Sequence, residues 1–220
     1  MTSSRVALAL AVMLGLAACA PVPEPSQSLT DAELREQIYR HDGPPALTLF
    51  TMVNNSNGSG AHTSLMVNGS QRVIFDPAGS FRHPRIATKN DVVFGVTPVM
   101  EDTYTRFHAR ETFHVIVQHV EVPPQVAEDV LRRVLATGPV PRAQCALSTS
   151  ELLRDVPGLN GAIRSTWFPN QLADQFGQLP GATTQRLYEY DDPDRFKALE
   201  SFDPDRVKAS QAAAAAAQAE

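Results

Sequence analysis

The sequence predicts an α+β domain, and three observations point there. Two short β-rich runs, 62–67 and 72–75, flank Asn68-Gly69, a pair that marks an antiparallel hairpin. Val126, Val130, Leu131, Val134 and Leu135 share one face of a run that opens at Pro123-Pro124 and stops at Gly138-Pro139, as in an amphipathic helix. Hairpins and helices thus fall in separate blocks, which favours an antiparallel sheet packed against helices over the regular alternation of a parallel, doubly wound fold.

The 220 residues suffice for one core with tails. With 43% hydrophobic and 20% charged residues, the chain is neither wholly disordered nor a polytopic membrane protein. Its 19 basic and 24 acidic residues leave a net charge of −5 and no Lys/Arg-rich run, so no nucleic-acid partner is expected.

The elements follow in order. Thr30 and Glu33 form a capping-box pattern that opens a helix running to about residue 41. Residues 46–53 read as a strand, and 54–60 as a Gly/Asn/Ser loop ahead of the hairpin. Strands are expected at 91–96 and 112–122, and the Pro124 helix comes next. A helix is expected at 145–154, stopping before Pro157-Gly158, then a helix at 168–176 and a closing strand at 184–190. One domain is expected over 30–200, with 201–220 as a disordered Ala-rich tail.

The N-terminus indicates a compartment. Arg5 precedes an apolar stretch, 6–16, too short to span a bilayer as a mature helix. Leu16-Ala17-Ala18-Cys19 then resembles the lipobox of bacterial lipoproteins. The resemblance implies a signal peptide over 1–18 and a diacylglycerol on Cys19. Residues 19–29 would be a Pro/Ser-rich tether. Ala20, where retained inner-membrane lipoproteins carry Asp, points to the outer membrane, facing the periplasm.

With Cys19 lipidated, Cys145 has no partner within the chain, so its thiol is either inert or kept for chemistry. It opens a helix-competent run, and a helix N-terminus favours thiolate. A nucleophilic Cys needs an imidazole, and His62 at the start of the first hairpin strand is the best placed, with Gly60 leaving room for close approach. The hairpin brings Asp76, after the second strand, back beside His62, where it could orient the ring. The plainer readings are a small buried Cys145, a surface His62, and an Asp76 serving only the Asp76-Pro77-Ala78-Gly79 turn. Thr63 and Ser64 are left without a role.

This order of His62, acid and Cys, with Val73-Ile74-Phe75-Asp76-Pro77-Ala78-Gly79 and Gln144-Cys145-Ala146-Leu147, resembles the circularly permuted branch of the papain-like NlpC superfamily. That branch includes bacterial lipoproteins and relatives of lecithin:retinol acyltransferase. The resemblance covers roughly residues 46–190 and implies a permuted papain-like fold, Cys145 as nucleophile, His62 as base and Asp76 as orienting group. Many permuted members carry Asn directly before the Cys; here Gln144 stands there as the oxyanion candidate, beside the Cys145 amide itself.

His83, His108, His114 and His119 invite a zinc reading, but no H-E-x-x-H is present, and His114 and His119 would face opposite sides of a strand. No metal or other cofactor is expected, and His114 is the reserve base. Trp167, Phe168, Tyr188 and Tyr190 read as core or groove lining. The sequence therefore suggests a monomeric, lipid-anchored envelope thiol hydrolase or acyltransferase acting on an amide or ester bond. Its expected partners are the membrane and either peptidoglycan or an acyl lipid. The alternatives are a non-catalytic binding or structural lipoprotein and a periplasmic metal-binding protein.

Overall fold

The structure, a computed structural model, describes residues 29–82, 86–159, 161–189 and 194–200. The expected signal peptide, Cys19 and the Ala-rich tail lie outside the described residues, as do His83 and Tyr190. No helix among the described residues is long and apolar enough to cross a membrane.

Thr30 caps helix α1 (Asp31–Glu36) through the expected box: its hydroxyl accepts from the Glu33 amide, and the Glu33 carboxylate accepts from the Thr30 amide. The helix stops at Glu36, not near 41, because none of its residues is fully buried and Leu34 alone packs partly against the core, too little to extend so short a helix.

The fold is α+β, with a seven-stranded antiparallel sheet at its centre. Its strands are β1 (Ala46–Asn54), β2 (Gly60–Asn68), β3 (Arg72–Phe75), β4 (Thr88–Lys89), β5 (Val92–Val93), β6 (Phe113–Glu121) and β7 (Thr183–Leu187). Their order is β4-β5-β3-β2-β1-β6-β7. The expected β2–β3 hairpin forms and turns through three residues, since Asn68 joins the ladder and pairs with Arg72. The expected strand at 91–96 shrinks to Val92–Val93, ending before Gly95, whose φ of 69 turns the backbone aside.

Alternation along the strands gives the sheet two buried faces. Leu47, Leu49, Leu65, Val67, Val73 and Phe75 meet α3 (Pro124–Ala136), α4 (Cys145–Arg154) and α5 (Pro169–Gly177). Phe50, Met52, Met66 and Ile74 meet α2 (Pro98–His108) and the short α6 (Phe196–Glu200) on the other side. Val126, Val130, Leu131 and Val134 are buried on α3 as expected, but Leu135 is 39% exposed. At 100° per residue it lies about 180° around the helix from Val126.

Helix α2 is absent from the expected elements. Thr97 caps it by accepting from the Met100 amide, Pro98 takes the first turn, and Met100, Tyr104 and Phe107 form its buried stripe. Full burial of a side chain such as Phe107 contributes roughly 1.5–3 kcal/mol, enough to fix a segment most of whose other positions are charged or polar.

Candidate active site

The site forms where two strands part. The β2–β3 ladder ends at the Leu65–Phe75 pair, and from there β2 continues to Gly60 without β3 beside it. Continuing that register sets Asp76 opposite Ser64, so His62, two residues further along β2, is its diagonal neighbour on the same face. There the His62 Nε2 lies 2.7 Å from Asp76 Oδ1. The same carboxylate oxygen accepts from the Tyr104 hydroxyl at 2.8 Å, and that hydroxyl lies 2.7 Å from Ser64 Oγ. Tyr104 has one proton and a carboxylate can only accept, so the Tyr104 proton goes to Asp76 and Ser64 donates to Tyr104.

Cys145 is the first residue of α4 and a free thiol, 7% exposed. Helix α4 lies against β2, and its first turn reaches the edge that β3 has left. The His62 ring and the backbone amides of Thr63 and Ala146 lie close enough to the sulfur to lower the thiol. With Nε2 taken by Asp76, Nδ1 is the ring atom that serves the thiol. The first helical bond of α4 runs from Ser148 N–H to Gln144 C=O, so the Cys145 amide precedes the ladder.

Electrostatics follow the geometry. Burial alone would push the His62 ring down, but its bonds and attraction to Asp76 and Cys145 reverse this and raise it to about 10. Burial would raise Asp76, yet the His62 cation, with the Tyr104 hydroxyl, holds it down at about 2. Burial also opposes ionisation of Cys145, and His62 and the two amides outweigh it, so the thiol is lowered. The arrangement therefore favours a thiolate–imidazolium pair backed by a carboxylate.

His108, the last residue of α2, stacks on His62 with ring centroids 6.0 Å apart. Its Nδ1 donates to the Tyr104 carbonyl at 2.9 Å, while Nε2 is buried without a partner. Burial keeps this ring neutral by pushing it down to about 4. A groove of about 510 Å³ adjoins His62, walled by Met52, Gly79, Phe107, Arg110, Phe113 and Phe196.

The other sequence candidates lie elsewhere. His114 sits opposite Val53 while His62 sits opposite Met52, so the two rings face opposite sides of the sheet. The His114 Nδ1 is 2.7 Å from Asn55 Oδ1 and its ring stacks on Tyr188, which removes it as the base for Cys145. His119 bonds Thr48 Oγ1 at 3.0 Å. Among the described residues no group of three or more His, Cys, Asp or Glu could hold a metal ion. Gln144 precedes α4 without a capping bond and lines a shallow cavity with Arg133, Leu147 and Glu151, apart from the His62 groove. The close approach that Gly60 permits is to Pro169 and Asn170 at the start of α5. Trp167, Phe168 and Tyr188 are exposed, contrary to the expected core or lining role, because they lie in chain flanking α5 and the edge strand β7.

Tyr104 was not singled out from the sequence, and His108 was weighed only for a metal, since both belong to the unforeseen α2. The Thr97-Pro98 start and the Met100, Tyr104, Phe107 spacing were the signals that could have found them. Comparison of the chain with protein-family models, curated proteins and solved structures finds no match.

Proposed function

We propose that this protein is a lipid-anchored thiol hydrolase or acyltransferase of the bacterial cell envelope, built on a permuted papain-like plan. The reading rests on one arrangement: a Cys at a helix start whose thiol is lowered by a neighbouring imidazole, the Nε2 of that ring being 2.7 Å from a buried carboxylate. Cys19 would carry the lipid, holding the domain at the outer membrane on its periplasmic side. Peptidoglycan peptides and acyl lipids are the two substrates that compartment offers.

In the proposed reaction the Cys145 thiolate attacks an amide or ester carbonyl, forming the S–C bond while the Cys145 amide stabilises the oxyanion. The C–N or C–O bond then breaks, and the leaving amine or alcohol takes the proton from His62 Nδ1. Water, or an acceptor amine or alcohol, attacks the thioester and returns a proton to His62 as the thiolate leaves. Asp76 holds the ring and its charge throughout.

One observation favours a second reading, a non-catalytic binding module: Cys145 is 7% exposed and does not wall the groove. Incubation with peptidoglycan peptides and with acyl esters, followed by mass spectrometry of the Cys145 peptide, separates the two. An acyl-thioester that forms in the wild type and far more slowly in His62→Ala supports the enzyme. Absence of both adduct and product with either substrate class favours the module.

A further inference from the structure

The turn that follows β3 and the chain that enters α4 meet on one side chain, Asp91. Its Oδ2 accepts from the Ala78 amide at 3.0 Å and from the Val140 amide at 2.9 Å. Its Oδ1 accepts from Arg82 at 3.0 Å, and its backbone carbonyl accepts from the Asp76 amide at 2.8 Å. The carboxylate side chain is 5% exposed. Asn90 and Asp91, with φ of 50 and 60, are the two central residues between the paired Lys89 and Val92, the geometry of a tight hairpin turn with both residues left-handed. A non-glycine residue held there, with its carboxylate buried on amides from two other segments, is fixed by its surroundings.

The two segments it joins are those that carry the chemistry. Ala78 is in the turn begun by Asp76, past the end of the β2–β3 ladder, and the Val140 segment lies in the connection between α3 and Cys145. No strand ladder registers either against the other, and the bonds that join them both run to the Asp91 carboxylate. We propose that Asp91 is the positioning residue of this site, one carboxylate oxygen tying the Asp76 turn to the segment ahead of Cys145 and so setting the reach between the His62–Asp76 pair and the thiol. This rests on the Cys145–His62 reading above. Charge-assisted bonds to backbone amides are the stronger kind, suited to holding two loops in register.

Alkylation of Cys145 in the full chain, followed against pH by mass spectrometry of the Cys145 peptide, tests it. Near-UV circular dichroism confirms folding of each variant. Asp91→Ala removes every side-chain bond and is expected to slow alkylation at pH 6 by about tenfold or more, moving the profile toward an ordinary thiol near 8.5. Asp91→Asn keeps an oxygen for the two amides and is expected to stay close to wild type, as is Arg82→Ala, which removes a donor to Oδ1 and leaves both bonds to Oδ2. Val140→Pro deletes the amide on the Cys145 side alone, and it serves as the decisive variant if Asp91→Ala does not fold; it should shift the profile in the same direction. A folded Asp91→Ala or Val140→Pro with the wild-type profile overturns the positioning role while leaving the Cys–His pair intact. A wild-type protein whose Cys145 titrates like an ordinary thiol overturns the pair, and the positioning role with it.

Discussion

A side-chain carbon placed on Gly79 would fall 1.8 Å from Oδ2 of Asp76 and 2.1 Å from its Cγ. The Gly79 amide donates to the Asp76 carbonyl at 2.9 Å, so the turn closes directly over the carboxylate. Gly79 is not among the residues with positive φ, and its lack of a side chain is therefore a requirement of the carboxylate, not of the backbone angle. Gly79→Ala must push Asp76 away from His62. Because displacement of a catalytic group by about 1 Å can cost 100-fold, acylation of Cys145 should fall by roughly that factor while the far-UV spectrum is kept. Wild-type kinetics in Gly79→Ala would mean that Asp76 orientation is irrelevant to the thiol.

The paired titrations imply a pH dependence for the Cys145 thiol. Cys145 is lowered and His62 is raised to about 10, so a thiolate–imidazolium pair exists between those two points. Alkylation should rise at lower pH than for an ordinary thiol, level off, and change again near 10 as His62 loses its proton. In His62→Ala it should show a single rise near 8.5. Stability follows the same groups. His62, raised in the fold, contributes stability that is complete below about 6.5 and lost as pH climbs through about 10. Asp76, lowered to about 2, contributes stability present above about 3.9 and lost as pH falls through about 2. Thermal melting of wild type and Asp76→Asn across pH should therefore differ most at mildly acidic to neutral pH.

Tyr104→Phe removes the second donor to Asp76 Oδ1 and leaves the Ser64 hydroxyl without its buried acceptor. The phenyl ring fills the same space among Phe50, Phe81 and His108. The expected loss is about 1–3 kcal/mol in denaturant unfolding, with Asp76 moving upward because the hydroxyl helps to hold it down. An unchanged unfolding midpoint would show that the hydroxyl is not a working part of the pair's support.

Much of this site could be read from the chain because its side chains sit on strongly patterned elements. Asp76 beside His62 followed from one hairpin, whose register puts both residues on one face. Helix α4 begins at the expected residue, Cys145. What escaped has physical causes. The Thr63 and Ala146 amides that meet the thiol are backbone atoms, which carry no residue signature. Asp91 acts on amides 13 and 49 residues away, separations that no local pattern encodes. Tyr104 and His108 were lost with α2, where charged residues interleave the apolar stripe and blur its period.

His108 gives the sharpest contrast with His62, since two imidazoles stacked 6.0 Å apart titrate in opposite directions. His108 is buried, close to the His62 cation, and its Nε2 has no partner, so protonation would place a second charge in the same pocket. Its value is lowered to about 4, and between that point and about 6.5 the unfolded chain binds more protons than the folded one. This group therefore removes stability as pH falls from about 6.5 toward 4. His108→Phe keeps the ring among Phe81, Tyr104 and Phe107 and abolishes the titration. It loses one bond to the Tyr104 carbonyl but also removes the unpartnered nitrogen, so the expected change at pH 7 is within about 1 kcal/mol. The variant should lose less stability than wild type between pH 6.5 and 4, while the alkylation profile of Cys145 stays near wild type. Parallel losses in the two proteins over that range would show that His108 is not the group that titrates.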